Sequence, residues 1–155
     1  MRNLRVFDFV HSMGNRGFLS ALERLAARGL PPLRLGQVFF CAPDEDVRTF
    51  ADKTRLFPRQ CDNRTLLVSP DDKAVALSRW KHQYDRVGIV PPLHPYGGIE
   101  TVAVTGFGLL DLGHGYFAEA EPVILDLREA IASRRRAAER EAPRAQEGHF
   151  VIDLR

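Results

Sequence analysis

The feature that most constrains this chain is a short polar segment between an apolar run and a helix-like stretch. Residues 10–15 read Val-His-Ser-Met-Gly-Asn, and they follow an apolar run that begins at Leu4. Apolar residues then recur at helical spacing up to Gly29, which is a natural helix stop. The pattern predicts a strand over residues 4–10 that runs directly into a helix.

Ser12 stands at this junction, with Gly14 two positions later. A small residue there lets the backbone turn sharply and present a serine hydroxyl above the carboxyl edge of a sheet, as in a nucleophile elbow. The Met13 N–H would then be one oxyanion donor, and the helix N-terminus would favour negative charge. The alternative is that Ser12 only caps the helix, and Val10 is bulkier than the elbow pattern prefers.

Three further strand-like segments follow, and each leads into a stretch with polar residues. These segments and the polar residues after them are 37–42 with Asp44, 65–69 with Asp71 and Asp72, and 100–104 with His114. Because the strands alternate with helical segments through right-handed crossovers, their carboxyl ends should meet at one edge of the sheet. Serine, aspartate and histidine occur in the order that a Ser-His-Asp triad takes on such a sheet.

Two aspartates are candidates for the acid of such a triad. Asp72 follows the third strand, and Asp44 follows the second strand as the alternative acid. Asp44 also precedes a helical stretch, so the simplest explanation of Asp44 is a helix N-cap.

The composition excludes several classes of function. The chain has 155 residues, with 22 basic and 20 acidic side chains, and this balance does not favour a nucleic-acid or anionic-membrane partner. Two cysteines, Cys41 and Cys61, are too few for a disulfide framework, and we expect neither a metal nor a cofactor. No apolar stretch has the length of a membrane span and the start lacks a signal peptide, which predicts a cytoplasmic protein.

The pattern as a whole predicts an α/β fold, with a mostly parallel sheet of about four strands flanked by helices. We expect one domain over residues 1–132, followed at 133–155 by a charged, flexible tail with a possible short terminal strand. The proline- and glycine-rich segment 81–98 is long enough to be a binding loop or lid.

Four motifs give the chain a more specific resemblance. They are His-Ser-Met-Gly-Asn-Arg at 11–16, Gln-Val-Phe-Phe-Cys-Ala-Pro-Asp at 37–44, Val-Ser-Pro-Asp-Asp-Lys-Ala at 68–74 and Leu-Gly-His-Gly-Tyr-Phe at 112–117. Over most of residues 4–131 the chain resembles the α/β-hydrolase superfamily, and within it a bacterial esterase and lipase-like family of unknown function. The resemblance implies Ser12 as nucleophile, Asp72 as acid and His114 as base, acting on a small ester or acyl substrate.

The resemblance begins only at the elbow strand. Members of that family carry earlier strands and a His-Gly-Phe type loop that supplies the second oxyanion amide, so we expect a truncated hydrolase half of low activity. An inactive remnant and a small interaction module using the 81–98 loop are the alternatives. Without an upstream partner, the strand over 4–10 would expose backbone groups at an edge and favour self-association.

Overall fold

The computed structural model describes residues 6–29, 35–56, 61–107 and 113–155. The strands are β1 (Val6–His11), β2 (Leu35–Cys41), β3 (Asn63–Val68), β4 (Glu100–Thr105), β5 (Arg144–Gln146) and β6 (His149–Asp153). The helices are α1 (Gly14–Ala27), α2 (Val47–Thr54), α3 (Lys73–His82), α4 (Tyr116–Glu119) and α5 (Glu121–Ser133), followed by a 3₁₀ turn at Ala137–Glu139. No helix in these ranges is both long and apolar enough to cross a membrane.

All six strands form one sheet in the order β1-β2-β3-β4-β6-β5. Neighbouring strands from β1 to β6 pair in parallel, and only β5 runs antiparallel to β6. The predicted fold class, a mostly parallel sheet flanked by helices, is therefore confirmed.

The expected number of strands was too low, because residues 133–155 contribute β5 and β6 to the sheet. The possible terminal strand of this segment lies at His149–Asp153. All three residues of β5 are exposed, so this strand has no buried face and no alternating pattern by which the sequence could reveal it.

Helices cover both faces of the sheet. On one face, Leu19 and Leu22 of α1 belong to the same buried cluster as Val38 and Phe40 of β2. On the other face, the cluster joins α5 to Phe39 and Cys41 of the same strand. Because successive side chains of a strand point to opposite faces, β2 is buried along its whole length, as its continuous apolar run predicted.

A buried ion pair fastens α5 to the segment that leads into β5. Arg140 Nε lies 2.9 Å from Asp126 Oδ1, and neither side chain is more than 1% exposed. Burial raises the pKa of Asp126 to about 6, because the desolvation of its carboxylate outweighs the attraction of Arg140.

The 81–98 loop packs against the carboxyl ends of β2 and β3. The Gly88 N–H donates to the Pro43 carbonyl (2.9 Å), and the Ser69 N–H donates to the Gly88 carbonyl (3.0 Å). A Cβ at Gly88 would lie 2.7 Å from the carbonyl carbon of Ala42, so only glycine fits this approach. Farther along the loop, the buried Tyr96 packs on Phe50 of α2.

Candidate active site

The junction between β1 and α1 is a two-residue turn formed by Ser12 and Met13. Ser12 has a φ of 51°, in the left-handed region that residues with a Cβ rarely adopt. Its N–H donates to the carbonyl of Cys41 at the end of β2 (3.0 Å). The sharp strand-to-helix turn expected from the sequence is therefore present, with backbone strain at the serine.

The capping explanation of Ser12 does not fit this geometry. Met13 occupies the N-cap position of α1, and no side chain makes a cap hydrogen bond there. Within the described ranges, neither the Ser12 hydroxyl nor the Met13 N–H has a hydrogen-bond partner. Both groups therefore remain available at the N-terminus of a 14-residue helix, where the helix dipole favours negative charge.

Asn15, to which the sequence analysis assigned no role, holds the turn together. Its fully buried side chain donates from Nδ2 to the carbonyls of Val10 (3.0 Å) and Ser12 (2.9 Å). The Asn15 N–H also donates to the Ser12 carbonyl (3.2 Å). The sequence signal for this role is an asparagine three residues after Ser12, because short amide side chains readily form hydrogen bonds with the nearby backbone.

Asp72 and His114 lie in direct contact although 42 residues separate them. Asp72 Oδ2 is 2.9 Å from His114 Nδ1, and the Asp72 side chain is fully buried whereas that of His114 is 25% exposed. Asp72 Oδ1 accepts the Val75 N–H (3.0 Å), so the same carboxylate caps α3. With Nδ1–H directed to Asp72, the Nε2 atom of His114 is unprotonated in the neutral ring.

Asp71 contacts the chain just after β4 and again just before His114. Its Oδ2 accepts the Gly106 N–H (3.1 Å) just after β4. At the other end, Gly113 has a φ of 63°, and a Cβ there would lie 2.8 Å from the Asp71 carbonyl oxygen. Asp72 therefore contacts the His114 ring, while Asp71 contacts the backbone at Gly106 and packs closely against Gly113.

His11, the residue before Ser12, contacts both the backbone and the ring of His114. Its Nε2 lies 3.1 Å from the His114 carbonyl oxygen, and the two rings are 4.5 Å apart between centroids. Burial, together with the nearby His114, lowers the pKa of His11. The residue directly before Ser12 thus contacts His114, so His11 at the end of β1, Asp72 after β3 and His114 after β4 lie together.

A family model described as alpha/beta hydrolase of unknown function (DUF900) matches residues 2–134. The chain belongs to this alpha/beta hydrolase family. Membership agrees with the parallel sheet and indicates hydrolase activity, but it assigns neither a reaction nor catalytic residues. No curated protein and no solved structure matches the chain.

The structure of this alpha/beta hydrolase brings Asp72, and not Asp44, to His114. Asp44 Oδ1 accepts the Ser78 hydroxyl (2.7 Å) and lies 3.4 Å from the buried Arg86 Nε. The expected N-cap role of Asp44 is also wrong. Asp46 caps α2 instead, because its Oδ1 accepts two N–H groups of the first turn.

The described part of this alpha/beta hydrolase has no group of three or more side chains placed to hold a metal. Cys41 is buried in the core and Cys61 is half-buried, and both are free thiols. Burial raises the pKa of Cys61 to about 11 and that of Cys41 further, so neither thiol is a ready nucleophile. Ser12 directly follows His11, whose side chain contacts His114.

Proposed function

We propose that the protein is a serine hydrolase of the esterase or lipase type, acting on a small ester or acyl substrate. The observation that carries the proposal is the contact between a fully buried Asp72 and His114 (2.9 Å). His11, directly before the strained turn at Ser12, contacts the backbone of this same histidine. Membership in an alpha/beta hydrolase family supports it independently. In this proposal Ser12 is the nucleophile, His114 the base and Asp72 the acid.

The reaction would proceed in two acyl transfers. Ser12 Oγ attacks the acyl carbon while His114 Nε2 takes the hydroxyl proton, and Asp72 stabilises the imidazolium that forms. The Met13 N–H donates to the oxyanion of the tetrahedral intermediate. The carbon–oxygen bond to the leaving alcohol then breaks, and the alcohol takes the proton from His114. Water repeats the sequence on the acyl-enzyme and releases the acid.

Hydrolysis of short-chain p-nitrophenyl esters tests this proposal. We expect the wild-type chain to release p-nitrophenol faster than the uncatalysed reaction, and Ser12→Ala to abolish the excess. Ser20→Ala is the matched control, because Ser20 lies on the same helix and its hydroxyl accepts a hydrogen bond from Lys53. If Ser12→Ala hydrolyses the ester as fast as Ser20→Ala, Ser12 is not the nucleophile.

An interaction module that uses the 81–98 loop is the second candidate. Trp80 and Tyr84, at the end of α3 and the start of the loop, are 77% and 66% exposed. They line an open groove together with Arg79 and Asp85, which form an ion pair (2.9 Å). Exposed aromatic side chains are common at binding surfaces. This candidate predicts that binding of a partner protein survives Ser12→Ala and is lost in a Trp80→Ala, Tyr84→Ala double variant.

Self-association through β1 is a further part of the proposal. In the described part of the chain β1 pairs only with β2, and its Val6 and Phe9 side chains are each 44% exposed. An edge strand with exposed apolar residues favours pairing with a second copy. We expect sedimentation to show concentration-dependent association that Phe9→Lys weakens, and a wild-type monomer at all concentrations would contradict this part.

A further inference from the structure

The side chain of His11 contacts the backbone of His114, and this contact has no part in the two acyl transfers. Its Nε2 lies 3.1 Å from the carbonyl oxygen of His114. A carbonyl only accepts hydrogen bonds, so His11 Nε2 must carry a proton. The His11 ring also packs on the ring of Phe117, with centroids 4.7 Å apart.

Among the described residues, no backbone–backbone hydrogen bond involves His114. His114 lies in a bend that leads into the four-residue helix α4, which begins at Tyr116. Within the described ranges, His11 is the one donor to the His114 carbonyl. Asp72 therefore holds the ring of His114, while His11 holds its backbone.

The charge state of His11 suits this contact. Burial lowers the pKa of His11 most, and the neighbouring His114 lowers it further. The hydrogen bond to the His114 carbonyl and the charge of Asp72 raise the pKa by less, so the pKa of His11 stays below its ordinary value. A neutral imidazole can donate from Nε2 without placing a second positive charge beside His114. This matters because His114 itself would gain a proton during acyl transfer, and like charges at this distance repel.

We propose that His11 is a positioning residue whose Nε2–H holds the His114 backbone, so that His114 keeps Nδ1 on Asp72 and presents Nε2 to Ser12. The effect on Ser12 rests on the proposed serine hydrolase function. The effect on the His114 ring does not, and it can be measured separately.

Two variants separate the hydrogen bond from the ring packing. His11→Phe keeps an aromatic ring against Phe117 but removes the donor, whereas His11→Gln keeps an amide donor near the position of Nε2. The measured quantity is the tautomer of His114 at pH 8. It is read from the ¹⁵N chemical shifts of the ring nitrogens, detected by NMR through their couplings to the carbon-bound ring protons. Asp72→Asn serves as the reference for a ring that has lost its carboxylate partner.

We expect the Nδ1–H tautomer to predominate in the wild type and in His11→Gln, and a mixture of tautomers in His11→Phe. Urea denaturation identifies folded variants, and His11→Leu replaces His11→Phe in the comparison if the latter does not fold. Retention of the Nδ1–H tautomer without the donor would overturn the proposal. Loss of the Nδ1–H tautomer in both His11→Phe and His11→Gln would show that the His11 ring, and not its hydrogen bond, controls the tautomer. That result would also overturn the proposal.

Acylation of Ser12 by a fluorophosphonate gives the second readout. We expect His11→Phe to slow acylation about tenfold, the effect of one lost hydrogen bond, and His11→Gln to stay within about threefold of wild type. Abolished acylation with an unchanged His114 tautomer would mean that His11 acts on the serine directly, and would overturn the positioning role. If the wild-type serine is not acylated, the proposed function fails, while the tautomer comparison still decides the role of His11.

Discussion

Asp72 binds two partners at once, the backbone N–H of Val75 through Oδ1 and the His114 ring through Oδ2. The first contact fixes the carboxylate at the N-terminus of α3, where the helix dipole stabilises its negative charge. The second aligns the imidazole. One buried side chain therefore serves both the fold and the candidate site, and suitable substitutions can separate these roles.

Asp72→Asn should separate them, because asparagine is as good an N-cap as aspartate but cannot stabilise an imidazolium in the same way. We expect acylation of Ser12 to slow on the order of 10³ to 10⁴-fold, with a free energy of unfolding close to wild type. Asp72→Ala should slow acylation similarly and also lose about 1 kcal/mol of stability, since the cap is gone. Equal acylation rates in wild type and Asp72→Asn would remove Asp72 from the mechanism.

Gly113→Ala should displace His114 from Asp72. Gly113 has a φ of 63°, and an added Cβ would lie 2.8 Å from the Asp71 carbonyl oxygen, so the backbone must move. We expect acylation about a hundredfold slower, the cost of shifting a reacting group by about an ångström, and a loss of about 1 to 3 kcal/mol in stability. Gly97→Ala is the control, because nothing lies within 4 Å of a Cβ there. Similar rates for the two variants would contradict the prediction.

Asn15→Leu should relax the turn at Ser12. The variant keeps the number and branching of the side-chain heavy atoms but removes the Nδ2 donor to the carbonyls of Val10 and Ser12. We expect a loss of about 2 to 3 kcal/mol in the free energy of unfolding by urea, and at least tenfold slower acylation. Glu23→Gln on the exposed face of α1 should change neither quantity. Wild-type stability in Asn15→Leu would show that the turn does not depend on the hydrogen bonds of the Asn15 side chain.

The pH dependence of stability should reveal the buried carboxylate of Asp126. Its pKa is about 6 in the folded protein against an ordinary value of 3.8, so the folded state binds the proton more tightly between these values. The contribution of Asp126 to stability is therefore highest at and below about pH 4, falls as pH rises to about 6 and is constant above that. We expect the wild type to lose stability relative to Asp126→Asn over this window in urea titrations. A relative gain would mean that Arg140 outweighs burial.

The sequence predicted the part of this structure that depends on local pattern. The runs at 37–42 and 65–69 lie within two residues of β2 and β3 because buried parallel strands read as continuous apolar segments. The order of Asp72 and His114 along such strands predicted that the two would lie together, and they are in contact. Residues 4 and 5 of the expected first strand lie outside the described ranges, and so does the start of the last motif at Leu112.

The remainder depends on contacts between residues far apart in the chain. Asp44 and Asp46 each precede a helical stretch, so either could cap α2. Asp44 instead interacts with Ser78 and Arg86, which are distant in the sequence, and the cap is left to Asp46. The contact from His11 to His114 spans 103 residues and follows no local pattern.

Mass spectrometry after reaction with a fluorophosphonate tests the central claim most directly, because the covalent adduct reports the nucleophile itself. In the reaction Ser12 Oγ bonds to phosphorus, fluoride leaves, and His114 takes the hydroxyl proton. We predict one adduct per chain, mapped to the peptide that contains Ser12, absent in Ser12→Ala and strongly slowed in His114→Ala. No adduct on the wild-type chain, or an adduct that persists in Ser12→Ala, would contradict the account.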